Sequence, residues 1–481
     1  MPKLIPRTIL DDAVLKATQL DLCFQAGLAQ SRHVPFTFTP SEISASALSQ
    51  LDSVSPLLGR LTQTVASCND LIQAVHQPLQ DSDPFFSELL AMHRQLYCEG
   101  DESICVPLLL QRSDFMIDAV LGPRLIECNS IAAGMAPFGE QIGQLHDYLS
   151  RRWPIEFDQF QSQKPGTLIT NPATENLANT IATAARMIAK DLDDSGDPGF
   201  LMIVQDQEAN VFDQRLLERQ LIALGLRAYR RTFRQLNQQL SSGPNQRLQL
   251  KGCGTIHAVY LRGGYQYQDY IAADLDEQRC CDALCTTRAF IEHHRVALNA
   301  TVAQQLATSK KMQLYLANDS LTHFSDLGFT PTESVALANI ITPMRAVERT
   351  SREWLQDTAS SADWALKNQG EGGGHCLFDE DILSYLKQLK PEHHSAWTLM
   401  HSLRPAGRTQ PTLVVRDSKA QQLDNLSSEI GLFTAHLGQT ALAGADQRSD
   451  RLGYLVRSKP PAVTESGIHS GFGALDSLFV V

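Results

Sequence analysis

The chain has 481 residues, enough for two to four domains at roughly 100–200 residues each. Apolar residues make up 43% and charged residues 20%, a globular balance that excludes bulk disorder, collagen and coiled coil. Acidic residues outnumber basic ones by 53 to 41, a net charge of −12, so no global field draws nucleic acid or anionic lipid, and an anionic ligand needs a local basic pocket.

No apolar run approaches the roughly 18 residues of a spanning helix. Asp11-Asp12 arrives before any long apolar stretch, a poor match to a signal peptide. The ten cysteines are scattered without a Cys-x-x-Cys pair, the pattern of reduced thiols in a cytoplasm rather than of a disulfide framework.

Mixed apolar spacing predicts a helix over 8–32, carried by Ile9, Val14, Leu15, Leu20 and Leu22. A turn at His33-Val34-Pro35 leads to extended Phe36–Thr39. Thr39-Pro40-Ser41 then opens more helix, with Pro in the first turn and Ser or Thr as cap. Helical spacing continues to Glu99, broken near Pro84. Ile104–Leu110 and Leu125–Ile131 are apolar runs of strand length, with Gly122-Pro123 turning between them. Helix resumes at Pro137. From 199 to 265 the pattern alternates: strand Phe200–Val204, helix Phe212–Leu226, strand Ala228–Phe233, then a hairpin from Leu248 through Gly252-Cys253-Gly254 to Ile256–Leu261. Such alternation predicts an α/β unit. Asp282–Ala307 reads as helix, and Trp364–Phe378 as strand, Gly-rich loop and strand. Thr412–Arg416 and Gly453–Arg457 read as later strands. Ser241–Pro244 and Ser351–Ser361 read as flexible joints.

The strongest local signal runs from Ala365-Leu366-Lys367 to Gly370-Glu371-Gly372-Gly373-Gly374. Glycines after a strand let backbone N–H groups close on a polyphosphate. Lys367 adds a point charge, and Glu371 can hold Mg²⁺ against the same phosphates. A mobile hairpin tip accounts for the loop alone equally well. The loop is neither a Walker loop nor a dinucleotide fingerprint.

Glu127 and Asn129 stand two apart on a predicted strand and so share a face. With Glu371 they make a donor set that suits Mg²⁺ beside phosphate. Alone, they read as a solvent-facing polar stripe. Arg112, Arg262 and Arg457 each follow or close an apolar strand, where α/β proteins place ligands, and their forks suit carboxylates and phosphates. Singly, each reads as a surface ion pair. His293-His294 and His393-His394 diverge on a helix and read as solvated. Cys280, Cys281 and Cys285 read as core packing.

The order of motifs carries more than any one of them. Arg112-Ser-Asp-Phe-Met116 is followed by Ile126–Asn129, Asn210–Arg215, Arg262-Gly-Gly-Tyr265, Thr308-Ser-Lys-Lys311, Leu366–Gly374, Ser428–Phe433 and Gly453–Lys459, before a Gly-rich tail. From about Pro35 to Val481 this series resembles the eukaryotic-type glutathione synthetases, which are ATP-grasp ligases. The resemblance implies an α/β (α+β) fold. Residues 1–197 and 309–481 would form an ATP-grasp core, with a lid at about 360–405. Residues 198–308 would be an inserted three-layer α/β substrate-binding domain. It also implies a cytoplasmic homodimer that uses ATP and Mg²⁺ to join γ-glutamylcysteine to glycine through an acyl phosphate.

Residue by residue, Glu127, Asn129 and Glu371 fall on the family's magnesium ligands. Lys310, Lys367, Gly372, Gly373, Gly374, Phe378 (usually tyrosine), Met400, Glu429 and Lys459 fall on its ATP contacts. Arg112, Glu208, Asn210, Gln214, Arg262, Tyr265 and Arg457 fall on its dipeptide contacts. Arg112, Lys310, Lys367, Gly372 and Arg457 are the expected catalytic set. The departures are local. Ala132 and Gly134 stand where serines usually contact the dipeptide. Gly370 replaces a basic residue, and His401-Ser402 an acidic–basic pair. Ile468-His469-Ser470 replaces a small apolar tripeptide that shapes the acceptor pocket. This leaves another γ-glutamyl donor or amine acceptor open. A non-catalytic nucleotide-binding homologue is the other alternative, and the retained metal and triphosphate residues argue against it.

Overall fold

Helix α1 (Arg7–Gln19) buries Ile9, Leu10, Ala13 and Ala17. It stops well short of the predicted residue 32. Asp21 takes a left-handed conformation (φ 57°), which a short polar side chain tolerates, and the chain turns into a hairpin of β1 (Cys23–Gly27) and β2 (Gln30–His33). After β3 (Phe36–Thr37), Ser41 begins not a helix but strand β4 (Ser41–Ile43). The cap is Ser44, whose hydroxyl accepts from the Ala47 N–H at 3.2 Å and opens α2 (Ala45–Ala66). Then come α3 (Asn69–His76) and α4 (Pro84–Tyr97). Pro84 starts a helix rather than breaking one, because Asp83 caps the Phe85 and Phe86 N–H groups.

Strand β5 (Val106–Asp118) runs past the apolar segment, so Arg112, Ser113 and Asp114 lie inside a strand, not beyond one. β6 (Gly122–Asn129) follows, then α5 (Ala136–Arg152), α6 (Pro154–Asp158), β7 (Thr167–Leu168) and α7 (Ala173–Asp191). The expected alternation holds in β8 (Gly199–Ile203), α8 (Val211–Ala223) and β9 (Arg227–Arg231). Helix α9 (Phe233–Leu236) leads to a three-stranded antiparallel sheet of β10 (Leu240–Gly243), β11 (Arg247–Leu250) and β12 (Gly254–Ile256). Ser241–Pro244 is therefore largely strand, not a joint. The run Ile256–Leu261 divides at His257, and β13 (Ala258–Leu261) enters a different sheet.

The predicted helix 282–307 is instead α10 (Asp282–Glu292), β14 (Ala297–Asn299) and α11 (Val302–Ala307). The apolar run Val296–Leu298 inserts in parallel between β13 and β5, which removes it from any helix. His294 is buried, hydrogen-bonded to Ser242 Oγ at 2.8 Å and the Phe290 carbonyl at 2.6 Å, so it is not solvated. The chain continues through α12 (Lys310–Ala317), α13 (Ser320–Asp326), α14 (Pro331–Ile340), β15 (Met344–Ala346), α15 (Ser351–Asp357), β16 (Trp364–Asn368), β17 (Cys376–Phe378), α16 (Asp379–Gln388) and β18 (Trp397–His401). Most of 351–361 is thus helical. It ends in β19 (Thr412–Arg416), β20 (Lys419–Leu423), β21 (Ser427–Leu437), β22 (Thr440–Leu442), β23 (Gly453–Lys459), β24 (Ala474–Asp476) and β25 (Leu478–Val480).

This computed structural model describes residues 5–27, 30–100, 103–131, 133–272, 274–275, 282–370, 376–438, 440–442, 451–460, 463, 467–468 and 473–481. The central sheet runs β20-β19-β3-β24-β23-β21-β5-β14-β13-β8-β9, with β6 beside β5 and β22 beside β21. Its β5-to-β9 half is parallel and its β5–β21–β23 part antiparallel. Separate buried apolar clusters cover its two faces, one under α2, α4 and α11, the other under α1, α5 and α7. A four-stranded sheet, β15-β18-β16-β17, stands apart with its own small apolar cluster. A further three-stranded sheet, β4-β25-β7, joins a late strand to two early ones. No helix among the described residues is long and apolar enough to cross a membrane, and the described cysteines form no disulfide.

Candidate active site

Four neighbouring strands set the expected residues in rows on one sheet face. Asp114 on β5 stands opposite Glu127 of β6 and Gly431 of β21. Arg112 stands opposite Asn129 and Phe433, and Glu429 opposite Met116 and Arg457. Strict alternation would put Leu125 on the same side as Glu127 and Asn129. A bulge prevents this: Asp114 pairs Glu127 but Phe115 pairs Leu125, leaving Ile126 as the extra residue. Leu125 turns into the core and Glu127 into the site.

The charges on this face form one network. Arg112 forks onto Asp114, with Nε–Oδ1 at 2.6 Å and Nη2–Oδ2 at 2.8 Å. Asp114 Oδ2 also accepts from Asn129 Nδ2 at 3.0 Å and from Arg457 Nη2 at 3.3 Å. Arg457 pairs with Glu429 as well. Lys310 Nζ lies 3.2 Å from Glu127 Oε2. Burial by itself would raise the Glu127 pKa. The charges of Lys310, Lys367, Arg112 and Arg457 outweigh it and hold the pKa down at about 2, so Glu127 is a carboxylate at neutral pH. At Gly431 a Cβ would stand 2.6 Å from Asp114 Oδ1 and 2.7 Å from Arg112 Cδ, so only glycine leaves room for the ion pair.

Lys310 opens α12, whose N-cap Ser309 accepts from the Met312 N–H at 3.0 Å. His76 supports that cap. Its Nδ1–H donates to the Ile72 carbonyl at 2.8 Å, which leaves Nε2 to accept from Ser309 Oγ at 2.6 Å. The approach to the Gly-rich loop is tied to α12: Lys310 Nζ donates to the Gly370 carbonyl at 2.8 Å, and the Lys311 N–H to Gln369 Oε1 at 2.8 Å. Lys367 and Lys459 are buried at the ends of β16 and β23. Phe378, Ala365, Met400 and Met344 face one another across four strands, an apolar row of the kind a planar base packs on.

On the other side, Arg262 follows β13 and its Nη1 lies 3.3 Å from Asp213 Oδ2. Asp213 also accepts from the Met135 and Phe138 N–H groups at 3.1 and 3.2 Å and so caps α5. The guanidinium of Arg262 lies directly over Gly134. The Gly134 carbonyl accepts from Arg112 Nη1 at 3.1 Å, and the Ala133 carbonyl from the Tyr260 hydroxyl at 3.3 Å. Glu208 accepts from Gln214 Nε2 at 2.8 Å and the Asn210 N–H at 3.2 Å. Gln214 Oε1 in turn accepts from Arg230, which lies 3.3 Å from Glu218. Asn210 Oδ1 is buried with no hydrogen-bond partner among the described residues. Burial and Asp269 push the Tyr265 hydroxyl up to about 12. Ile468 packs inside the apolar cluster with α5 and α7. Ala132, Glu371, Gly372, Gly373, Gly374 and His469 lie outside the described residues.

Sequence reasoning gave no role to Asp114, Gly431, Asp213, Arg230, His76 or Ser309. Parity along the strand could have found Asp114 from Arg112 and Gly431 from Glu429. Asp213 and Ser309 lie within the motifs Asn210–Arg215 and Thr308–Lys311, whereas Arg230 and His76 carry no local signal. Asn129 turns its Nδ2 toward Asp114 and Glu127, which leaves its amide oxygen beside the ionised Glu127 carboxylate as a second hard donor, a pair that fits Mg²⁺.

The sequence matches the family model of the eukaryotic glutathione synthase, ATP binding domain, over residues 11–480. It is 25% identical over 462 residues to the glutathione synthetase of Homo sapiens, covering 93% of this chain and 90% of that protein. To the glutathione synthetase of Dictyostelium discoideum it is 26% identical over 462 residues, 92% of this chain and 91% of that one. A solved structure of a glutathione synthetase like-effector from Globodera pallida, in apoform, superposes with a TM-score of 0.74 at 17% identity, covering 100% of this chain and 98% of that one, and so shares its fold. The family match spans nearly the whole chain, and the protein belongs to the eukaryotic glutathione synthase family.

Proposed function

We propose that the protein is an ATP- and Mg²⁺-dependent ligase that joins γ-glutamylcysteine to glycine through an acyl phosphate. One observation carries the reading: Lys310 Nζ lies 3.2 Å from Glu127 Oε2, and Arg112, Arg457 and Lys367 add positive charge around the same carboxylate. A cationic pocket around an ionised carboxylate in an acidic protein suits a metal-bound polyphosphate and a peptide carboxylate. In this reading residues 1–197 and 309–481 are the ATP-grasp core, 360–405 the lid and 198–308 the substrate-binding domain. The protein works as a homodimer in the cytoplasm, in keeping with the absence of a disulfide among its described cysteines.

A carboxylate is a poor acyl donor because oxide is a poor leaving group, and phosphorylation by ATP supplies a good one. Phosphoryl transfer asks the protein for positioning and charge neutralisation. Lys310, Lys367 and the N–H groups of Gly372, Gly373 and Gly374 bind the phosphates. Glu127, Asn129 and Glu371 hold Mg²⁺, which when bound neutralises phosphate oxygens. Phe378 and Met400 pack on the adenine, with Glu429 and Lys459 at the polar edge of the nucleotide. Glu208, Asn210, Gln214, Arg262 and Tyr265 hold the γ-glutamyl donor. The amine attacks the acyl carbon, and Arg112 and Arg457 stabilise the oxyanion that forms. Lid closure excludes the water that would hydrolyse the acyl phosphate.

A second reading keeps the chemistry and changes the acceptor. It rests on Ile468-His469-Ser470, a bulkier and chargeable segment than the small apolar one usual in the family. ADP release with γ-glutamylcysteine and a panel of amines tests both. No release with any pair overturns the ligase; release only with an amine other than glycine overturns glycine as the acceptor.

A further inference from the structure

We infer that Asp114 is the positioning residue that aims both halves of the site: it locks the fork of Arg112 and decides which end of the Asn129 amide faces the cation. This rests on the proposed cation site at Glu127 and Asn129.

Asp114 is fully buried. A buried carboxylate needs its lone pairs filled, and four N–H donors fill them: two from Arg112, one from Asn129 and one from Arg457. The space it occupies is kept open from the neighbouring strand, because any Cβ on Gly431 would meet its Oδ1 at 2.6 Å. A carboxylate that pairs with two guanidinium groups is an acceptor only. Facing it, an asparagine amide has one permitted orientation, with Nδ2 toward the carboxylate. Nδ2 of Asn129 lies 3.0 Å from Asp114 and 3.4 Å from Glu127. The amide oxygen is thereby left for another partner, and only that oxygen can ligate Mg²⁺. Without Asp114 only the longer contact to Glu127, at 3.4 Å, opposes the flipped amide, and that carboxylate is the cation's own proposed ligand. The same carboxylate holds Arg112 at two points, leaving its third nitrogen on the Gly134 carbonyl at 3.1 Å. Asp114 therefore acts through its neighbours and touches neither reactant.

The test exchanges the two groups in the full-length protein and reads Mn²⁺ uptake in the presence of ADP by electron paramagnetic resonance, alongside steady-state KM values. Asn129→Asp gives the cation a better ligand in isolation. Beside Asp114 it places two carboxylates in hydrogen-bond range, and Mn²⁺ binding is expected to weaken about tenfold or more. The double variant Asp114→Asn with Asn129→Asp restores the amide–carboxylate pair in reverse and is expected to recover Mn²⁺ binding to within about threefold of the original. Its KM for the γ-glutamyl donor is expected to stay about tenfold high, because the asparagine puts an N–H₂ group where the Arg112 fork met its second carboxylate oxygen. A structural filler would not separate metal binding from donor KM in this way. Mn²⁺ binding by Asn129→Asp as tight as the wild type overturns the role of Asp114, and this single variant decides the matter if Asp114→Asn does not fold. If the wild type itself takes up no Mn²⁺ with ADP, the cation site falls, and the orientation argument falls with it.

Discussion

An ideal Cβ on Gly134 would stand 2.1 Å from Nη2 of Arg262, so the arginine occupies the very space that a side chain at position 134 would need. From the sequence resemblance alone, Gly134 reads as a hydrogen bond given up. In the folded chain it is room for a guanidinium. Gly134→Ser is expected to displace Arg262 from Asp213 and raise the KM for the γ-glutamyl donor about tenfold, a cost of about 1.4 kcal/mol, with the KM for ATP unchanged. Steady-state kinetics with each substrate varied in turn decide it. An unchanged donor KM would show that Arg262 is not held by this packing.

Arg230 acts at one remove. Guanidinium only donates, so its bond to Gln214 Oε1 fixes the glutamine with Nε2 toward Glu208. Arg230→Met frees that amide to flip and is expected to raise the donor KM about threefold to tenfold, a loss on the scale of one hydrogen bond. Arg230→Lys is expected to recover part of it. Equal loss in both variants with a lowered melting temperature would point to packing instead.

His76 stacks on Phe86, with ring centroids 6.1 Å apart and planes at 10°. His76→Phe keeps a stacking ring and removes the acceptor for Ser309 Oγ. A weakened cap at the start of α12 is worth about 1 kcal/mol, so the KM for ATP is expected to rise about fivefold through Lys310. Ser309→Ala is expected to match it. A fall in stability with ATP binding untouched would leave His76 no part in positioning Lys310.

His76, His93 and His146 are buried, and burial brings each from an ordinary pKa of 6.5 down to about 4. Unfolded, each takes a proton near 6.5; folded, each resists until about pH 4. Between those values the unfolded chain binds more protons, so stability is complete above about 6.5 and declines as pH falls toward 4. At pH 5 the loss is roughly 2 kcal/mol per histidine. Denaturant unfolding at pH 7 and pH 5 is expected to show this, and His146→Gln to show a smaller decline than the wild type. Parallel declines in the two proteins would refute the assignment for His146.

Residues two apart on a strand share a face, so the pairing of Glu127 with Asn129 was legible from sequence alone. Arg112 was assigned to a strand end because the apolar run stops at Leu110. A functional site puts polar residues inside β5, and the usual rule that central strands are apolar fails there. β14 was absorbed into a helix because a short apolar run such as Val296–Leu298 has no period of its own. The bulge at Ile126 leaves no mark in composition. His76 and Arg230 matter through partners brought close only by folding, and no local pattern marks them.

The last strands of the chain have work that begins long before they are made. β24 fills the gap between β3 and β23, and β25 lies between β4 and β7. During synthesis, Phe36–Ile43 must wait for partners more than 400 residues downstream. Contacts of such sequence separation form late and leave strand edges bare meanwhile. The nascent chain is therefore most exposed to aggregation until residues 474–480 have left the ribosome. Loss of residues 474–481 by premature termination would leave two sheets open at once, while removing none of the residues proposed to touch ATP.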